Sequence, residues 1–460
     1  MSHDRAGQSA GKLTFAGKLG YGVGEVGLNF LVAGIANYLL FFYTDVFGIT
    51  AGAAGLLMLM GRFWDAANDP LMGIIGDRTR TRWGKYRPYI IFAAAPVVIL
   101  TILTFTTPNL GPNGKLIWAY VTYFGWCTAF TAIAVPYNAL MANLSTDSQE
   151  RSSLGAIKTI FAVVGSMLII VLAKPMTESL GSSLQTGYTI TFSIFGVLAL
   201  GLFIVCFLSV REKEDVGGDA DARPIKSQVK ALLINRPLIA VLIFFLFFQV
   251  AFSLFRTVEL YYFIYVLGRG ELFSLALLAA HILAMGGMAI MPLCVKRFDK
   301  KRSSLYGGVI GCSFFLLMYL VPGNVPVALA SISLSYFFVS ITYALFFAIV
   351  PDTVEYGQWK SGIRAAGLIF SVFTFIQKLG MAIAAGLAGW ILESVGYVAD
   401  QPQTASALHG ILLMRTIIPL VLIVIGMLLF LFLHNMTRDK HKRILDDLRI
   451  SSGQQGNTAP

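Results

Sequence analysis

Apolar residues run along this chain in long blocks rather than alternating with polar ones. The blocks fall at about 20–44, 51–74, 88–107, 115–142, 155–173, 187–210, 237–266, 271–294, 305–322, 325–350, 364–394 and 406–434. A bilayer-spanning helix needs about 20 largely apolar residues. Backbone groups in lipid must be satisfied within their own segment, so each block predicts a helix. The pattern therefore predicts an all-α membrane protein of twelve transmembrane helices. The longest polar stretch, 211–236, divides it into two six-helix bundles. The expected plan is a tail at 1–16, a bundle at 17–210, a central loop at 211–236, a bundle at 237–436 and a tail at 437–460.

Charge refines this picture. Only 13% of the 460 residues are charged, about half the share in a soluble domain. The connections alternate in sign content. Those at 43–48, 321–325 and 395–405 hold no Lys or Arg, and those at 108–115 and 174–187 hold only Lys115 and Lys174. The intervening ones are basic: Arg78, Arg80, Arg82, Lys85 and Arg87 after the second block, Arg211, Lys213, Arg223, Lys226 and Lys230 in the middle. Lys296, Arg297, Lys300, Lys301 and Arg302 follow the eighth block, and Arg438, Lys440, Lys442 and Arg443 the last. Basic loops stay on the cytoplasmic side, so both termini are expected there. The net charge of +11 is thus accounted for by loops, and no soluble basic domain exists to bind nucleic acid. A basic connection after the second helix of each half suits two parallel repeats related by an axis along the membrane normal. Cys127, Cys206, Cys294 and Cys312 all lie in apolar blocks without metal-type spacing, so neither disulfide nor metal is expected from them. The first residues lack the apolar core of a cleavable signal, so the first span is expected to direct insertion.

Ionisable residues at membrane depth are costly and mark function. The densest set is Arg62, Asp65, Asn68 and Asp69 in the second block, on one helical face at offsets of three and four. Two carboxylates one turn apart repel, and a cation relieves that repulsion, as Na⁺ between oxygens or as a shared proton. The rival reading is a packing salt bridge from Arg62 to Asp65. Pro70 leaves the carbonyl of Ala66 without its helical donor, a possible further oxygen. The first block carries Tyr21, Glu25 and Asn29 among Gly20, Gly22, Gly24 and Gly27; such small residues suit close helix packing. Lys158 and Lys378, from opposite halves, are candidates to balance the two acids across a central cavity. Arg256 and Glu259, three apart, are candidates to pair with each other. His281 and Arg415 have no evident partner in sequence. Pro136 is expected to bend the fourth span beside Tyr137 and Asn138.

Six segments then occur in order: GYGVGE (20–25), FFYTDVFG (41–48), WDAANDP (64–70), DRTRTRWGKYRP (77–88), VPYNAL (135–140) and DTVEYGQW (352–359). Together they resemble the glycoside–pentoside–hexuronide:cation symporters, over about residues 17–440. The resemblance implies a major facilitator fold and coupling to H⁺, Na⁺ or Li⁺. It implies that Asp65 and Asp69 are the cation carboxylates, with Asn68 and Thr131 beside them; these two acids would also be the metal ligands if the ion is Na⁺. It implies that Lys378, Thr374 one turn before it, and Tyr343 as an aromatic platform belong to the sugar site, with Tyr21, Glu25, Asn29, Asn138 and Lys158. The chain departs from the melibiose permease branch, which has Asp at Asn29 and at Ala134, Trp at Asn138 and Arg at Lys158. Losing the carboxylate at Ala134 removes a hard ligand for Na⁺ and favours H⁺. NRPL (235–238) and YVLGRGELF (265–273) resemble the glucuronide-carrying branch.

The expected function is cation-coupled symport of a glycoside, pentoside or hexuronide across a bacterial inner membrane by alternating access. No organic cofactor is expected. The expected partners are the sugar, the coupling cation and membrane lipid, and nothing in the sequence demands more than a monomer. A second reading keeps transport but makes the substrate a lysolipid or a sulfonated sugar, with Lys158 and Arg256 facing its anion. A third is a membrane sensor or embedded enzyme; no cluster of His, metal ligands or nucleophile with base supports it.

Overall fold

In the computed structural model the described residues are almost wholly helical; they are 14–144, 148–212, 225–363, 365–399 and 401–456. Most of the expected N-terminal tail, residues 213–224 of the central loop with Lys213 and Arg223, the side chain of Lys226, and residues 457–460 lie outside the described residues. The chain forms two compact units. The first holds residues 1–218 with 389–402, the second 219–388 with 403–460.

The first unit is built from α1 (Phe15–Phe41), α2 (Ala51–Arg78), α3 (Arg87–Phe92), α4 (Ala94–Thr104), α5 (Pro112–Leu144), α6 (Ser148–Ser179) and α7 (Leu184–Ser209). α3 and α4 make one span with an interruption at Ala93, where Pro96 has no N–H for the carbonyl of Phe92. The second unit holds α8 (Ile225–Leu233), α9 (Arg236–Thr257), α10 (Glu259–Tyr261), α11 (Phe273–Leu320) and α12 (Val325–Ser361). It continues through most of α13 (Ala366–Ser394), then α14 (Ala405–Arg415), α15 (Ile417–Leu433) and α16 (Arg438–Gly456). Local chemistry starts these helices where they start. Thr14, Thr50, Asn235, Asn324 and Thr404 each accept a backbone N–H of the first turn, and Ser183 with Thr186 forms a capping box.

Among the described residues, ten helical segments are long and apolar enough to cross a bilayer. Two features reconcile that with the twelve expected. α2 is 28 residues long but carries Arg62, Asp65 and Asp69 along its middle, which lowers its apolar character. Gly270–Leu320 is one run of 51 residues in which Asp299 leaves helical geometry, with φ 68° and ψ 170°. The basic stretch 296–302, expected as a polar connection, is thus helical on both sides of a one-residue break, and the run holds two spans. Pro136 does not interrupt α5, which runs unbroken through it.

In the first unit α1 packs on α6 and α7, and α2 on α5; in the second, α11 packs on α12 and α9 on α15. Side chains such as Phe432 (84% exposed) and Leu208 (70%) point outward, which suits lipid rather than water. α1 and the α9–α10 segment end alike. Each closes in a π-helical turn, Phe42–Val46 and Tyr262–Val266. Each is followed by a glycine at positive φ, Gly48 (79°) and Gly268 (63°), a conformation that other residues adopt at a cost.

The buried glycines of α1 set its close approach. A Cβ at Gly24 would lie 2.7 Å from Cε2 of Tyr137 and 2.9 Å from Sγ of Cys206. Gly24→Val is therefore expected to destabilise the first unit by about 1–3 kcal/mol through overpacking, read as a lower unfolding midpoint of the purified protein.

Candidate functional site: polar residues at membrane depth

On α2, Asp65 is 4% exposed. Arg62 reaches it from one turn earlier, Nη1 to Oδ2 at 3.5 Å. This is a long contact. Asp69, one turn further, accepts a hydrogen bond of 3.0 Å from the hydroxyl of Thr131 on α5; Thr131 is itself buried. Asn68 is half-buried beside them. Trp64 donates its indole N–H to Thr128 at 2.9 Å, a further tie between the same helices. α5 therefore orients the acidic face of α2 through hydroxyls at positions 128 and 131. The packing bridge and the pair of acids coexist, since Arg62 engages Asp65 and Thr131 engages Asp69.

A second polar group joins α1, α5 and α6. Asn29 donates to Oε1 of Glu25 at 3.3 Å and accepts from Ser166 at 2.9 Å. Lys158 Nζ lies 3.8 Å from Oε2 of Glu25 and donates to the Asn138 side-chain oxygen. Lys158 was expected to balance Asp65 and Asp69; its described partners are Glu25 and Asn138 instead. The reason is reach: Glu25 and Lys158 sit on packed neighbours, α1 and α6. Tyr21, expected at the substrate, is fully buried and stacks on Tyr137 at 4.7 Å between ring centroids. Its hydroxyl donates to the Tyr137 carbonyl and that of Tyr137 donates to the Tyr21 carbonyl, so Tyr21 positions α5.

In the second unit Tyr343 on α12 lies among aromatic rings. It stacks with Phe252 at 5.7 Å and with Phe248 at 6.1 Å, and Phe347 meets it edge-on. Gln377 on α13 donates to its hydroxyl at 3.0 Å. Lys378, the next residue, is half-buried, and Thr374 is exposed one turn before it with its hydroxyl on the Phe370 carbonyl.

Glu259 corrects the expected pairing with Arg256. It is 1% exposed and forms an ion pair with Arg415, itself fully buried, at 2.9 Å; the hydroxyl of Tyr336 donates to its other oxygen at 2.8 Å. Arg256 instead lies with its guanidinium 5.5 Å from the ring centre of Phe252. His281 gives its Nδ1 to the Leu277 carbonyl, 2.8 Å, and its ring lies against Tyr336. Asp352, Glu355 and His441 have their ligand-type atoms within 4.8 Å of one another, but Lys300 already sits 2.7 Å from Asp352.

Sequence reasoning missed Ser166, Gln377, Trp64 and the Glu259–Arg415 pair. Gln377 carried a usable signal, a polar amide in an apolar helix beside Lys378. Ser166 carried none.

Comparison with known proteins agrees with this architecture. The family described as MFS/sugar transport protein matches residues 20–438. An isoprimeverose transporter of Lactiplantibacillus pentosus is 32% identical over 409 residues, 88% of this chain and 85% of its own. A glucuronide carrier protein homolog of Escherichia coli (strain K12) is 31% identical over 437 residues, 94% of each chain. Among solved structures, a D-xylose-proton symporter superposes with a TM-score of 0.67 at 13% identity, covering 93% of this chain and 98% of that one; this likeness speaks to fold alone. The protein is a multi-pass membrane transporter and not an enzyme. The chain belongs to the MFS/sugar transport protein family, the glycoside–pentoside–hexuronide:cation symporters of the major facilitator superfamily.

Proposed function

We propose that this symporter takes up a glycoside, pentoside or hexuronide across a bacterial inner membrane by alternating access, driven by a cation held at Asp65 and Asp69. The observation that carries this reading is the acidic face of α2, with one carboxylate against Arg62 and the next against the hydroxyl of Thr131. Two carboxylates one helical turn apart repel when both are ionised, and a bound cation relieves that repulsion. We assign H⁺ as that cation. A Na⁺ site wants about six oxygen donors of the kind found for hard cations; position 134 supplies a methyl group where the related branch supplies a carboxylate. Asn68 and Thr131 complete the polar wall.

Each unit by itself carries candidate sugar contacts. Asn29, Asn138, Lys158 and Glu25 offer donors and acceptors from the first, and Tyr343, Thr374 and Lys378 offer a ring face and donors from the second. A sugar ring has apolar faces and a polar rim, and this set supplies partners for both. The isoprimeverose and glucuronide names of two relatives support a glycoside. Cation and sugar each tighten the other, because linkage is reciprocal.

Two tests follow. Membrane vesicles are given a panel of labelled glycosides with an imposed pH gradient or an imposed Na⁺ gradient. Accumulation of at least one glycoside under the pH gradient without Na⁺ is expected; a strict Na⁺ requirement would overturn the assignment of H⁺, and no accumulation of any sugar would overturn the substrate class. Tyr343→Ala is expected to raise KM about tenfold or more, the loss of one aromatic contact of about 1.5 kcal/mol, whereas Tyr343→Phe keeps the ring and stays within about threefold.

A further inference from the structure

The break at Asp299 in α11 opens a second site, remote in sequence from the acids of α2. The two arms of α11, α12, the end of α15 and the start of α16 enclose a cavity of about 710 Å³ within the second unit. Its wall is apolar, from Val295, Leu305, Ile349, Leu431 and Met436. Its polar lining carries more positive than negative charge: Lys296, Lys300, Lys301 and Arg302 against Asp299 and Asp352. These charges do not cancel evenly. Lys300 is spent on Asp352 at 2.7 Å and on the Ala348 carbonyl at 2.9 Å. Lys301 donates to the carbonyls of His434 at 2.8 Å and Leu431 at 3.2 Å. Asp299 accepts the backbone N–H of Arg302 at 2.9 Å, capping the second arm of α11. Lys296 and Arg302 have no ion-pair partner among the described residues. His434 also lines the cavity, 5% exposed, with no hydrogen-bond partner for Nδ1 among the described residues. Burial, with Lys301 beside it, pushes its imidazole down to about 4, so it is neutral at physiological pH.

We propose that this cavity binds an anionic phospholipid, its phosphate on Lys296 and Arg302 and its acyl chain along the apolar wall. The chemistry selects an amphiphile. A free anion would leave the apolar wall unused, and a zwitterionic lipid carries its own cation against Lys296 and Arg302. Basic pockets among transmembrane helices are suited to anionic head groups. The cavity is built on the basic stretch 296–302 itself, which the charge rule turns towards the anionic leaflet. The lipid would brace the break in α11 against α16, which is docked by contacts of Met436, Ile444 and Leu448 with Tyr356 and by a 3.0 Å hydrogen bond from Trp359 to Asp447.

The test is native mass spectrometry of the full-length purified protein titrated with phosphatidylglycerol or phosphatidylcholine. Wild type is expected to bind phosphatidylglycerol about tenfold or more tightly, since each basic residue near a phosphate contributes on the order of 1 kcal/mol. Lys296→Ala with Arg302→Ala should erase that preference, and Lys296→Arg with Arg302→Lys should keep it. Leu305→Trp, which leaves both charges and fills the apolar wall, should weaken phosphatidylglycerol binding as well. Equal binding of the two lipids by wild type, or a preference that survives the alanine pair, would overturn the proposal. Displacement of the lipid by glycerol phosphate at comparable concentration would assign the site to a soluble anion and overturn it too. Thermal unfolding of each variant, unchanged in phosphatidylcholine, separates lost binding from lost folding.

Discussion

Asp65→Asn and Asp69→Asn are each expected to abolish uphill accumulation while leaving downhill sugar movement. A membrane potential of about 100 mV is worth about 2.3 kcal/mol per charge moved. One charge coupled to one uncharged sugar therefore sustains an accumulation of roughly fiftyfold. A carrier that no longer binds the cation equilibrates sugar to about onefold. Asparagine is close to isosteric and keeps an amide oxygen, so Asp69→Asn still accepts the bond from Thr131 that the carboxylate accepts at 3.0 Å. Asp65→Asn removes the charge that Arg62 faces at 3.5 Å, and is expected to be the less stable of the two. The check is a pair of assays on the same vesicles: accumulation under an imposed potential, and exchange of labelled for unlabelled sugar at equal concentration. Loss of the first with survival of the second is the expected outcome. Loss of neither would remove the two acids from coupling.

The second large effect belongs to Glu259 and Arg415. Both are buried, at 1% and 0% side-chain exposure, and joined at 2.9 Å, with Tyr336 closing the other oxygen of Glu259. Such a pair is not in itself a strong source of stability, because both ions left water to form it. Breaking it is another matter. Arg415→Ala leaves a carboxylate in an apolar interior and is expected to cost about 3–5 kcal/mol, a drop in unfolding midpoint on the order of 10 °C for a unit of this size. Glu259→Gln leaves Arg415 charged and should be nearly as damaging. Glu259→Met combined with Arg415→Met removes both charges and is expected to recover most of the loss. Additive losses in the double variant would show that the two residues act separately.

These expectations also show where the sequence is legible. The helices and their number follow from apolar blocks, because lipid leaves a spanning backbone no other way to satisfy its polar groups. The facing of Arg62, Asp65 and Asp69 follows from helical spacing alone. The continuity of α11 does not follow from it. A run such as LysArgPheAspLysLysArg reads as a loop by charge, yet Lys and Arg are good helix formers, and a single break at Asp299 suffices to turn the chain. The partner of Glu259 was hidden for a different reason. Arg256 lies three residues away and Arg415 lies 156 away, and only packing decides between them. Lys158 shows the same limit: charge balance pointed it to α2, while packing against α1 gave it to Glu25. The likeness of the two π-helical endings also escaped, since FYTDV and YFIYV share little but apolar bulk.

The central claim is that a cation travels with the sugar on the acidic face of α2. Sugar-evoked charge movement across a supported proteoliposome membrane measures it directly. With an uncharged glycoside as substrate, a transient current carrying positive charge in the direction of sugar entry is predicted for the wild type, and its absence is predicted for Asp65→Asn and Asp69→Asn proteins that still exchange that glycoside. Entry of the uncharged glycoside by the wild type with no current, or a current of full size in both variants, would contradict the account.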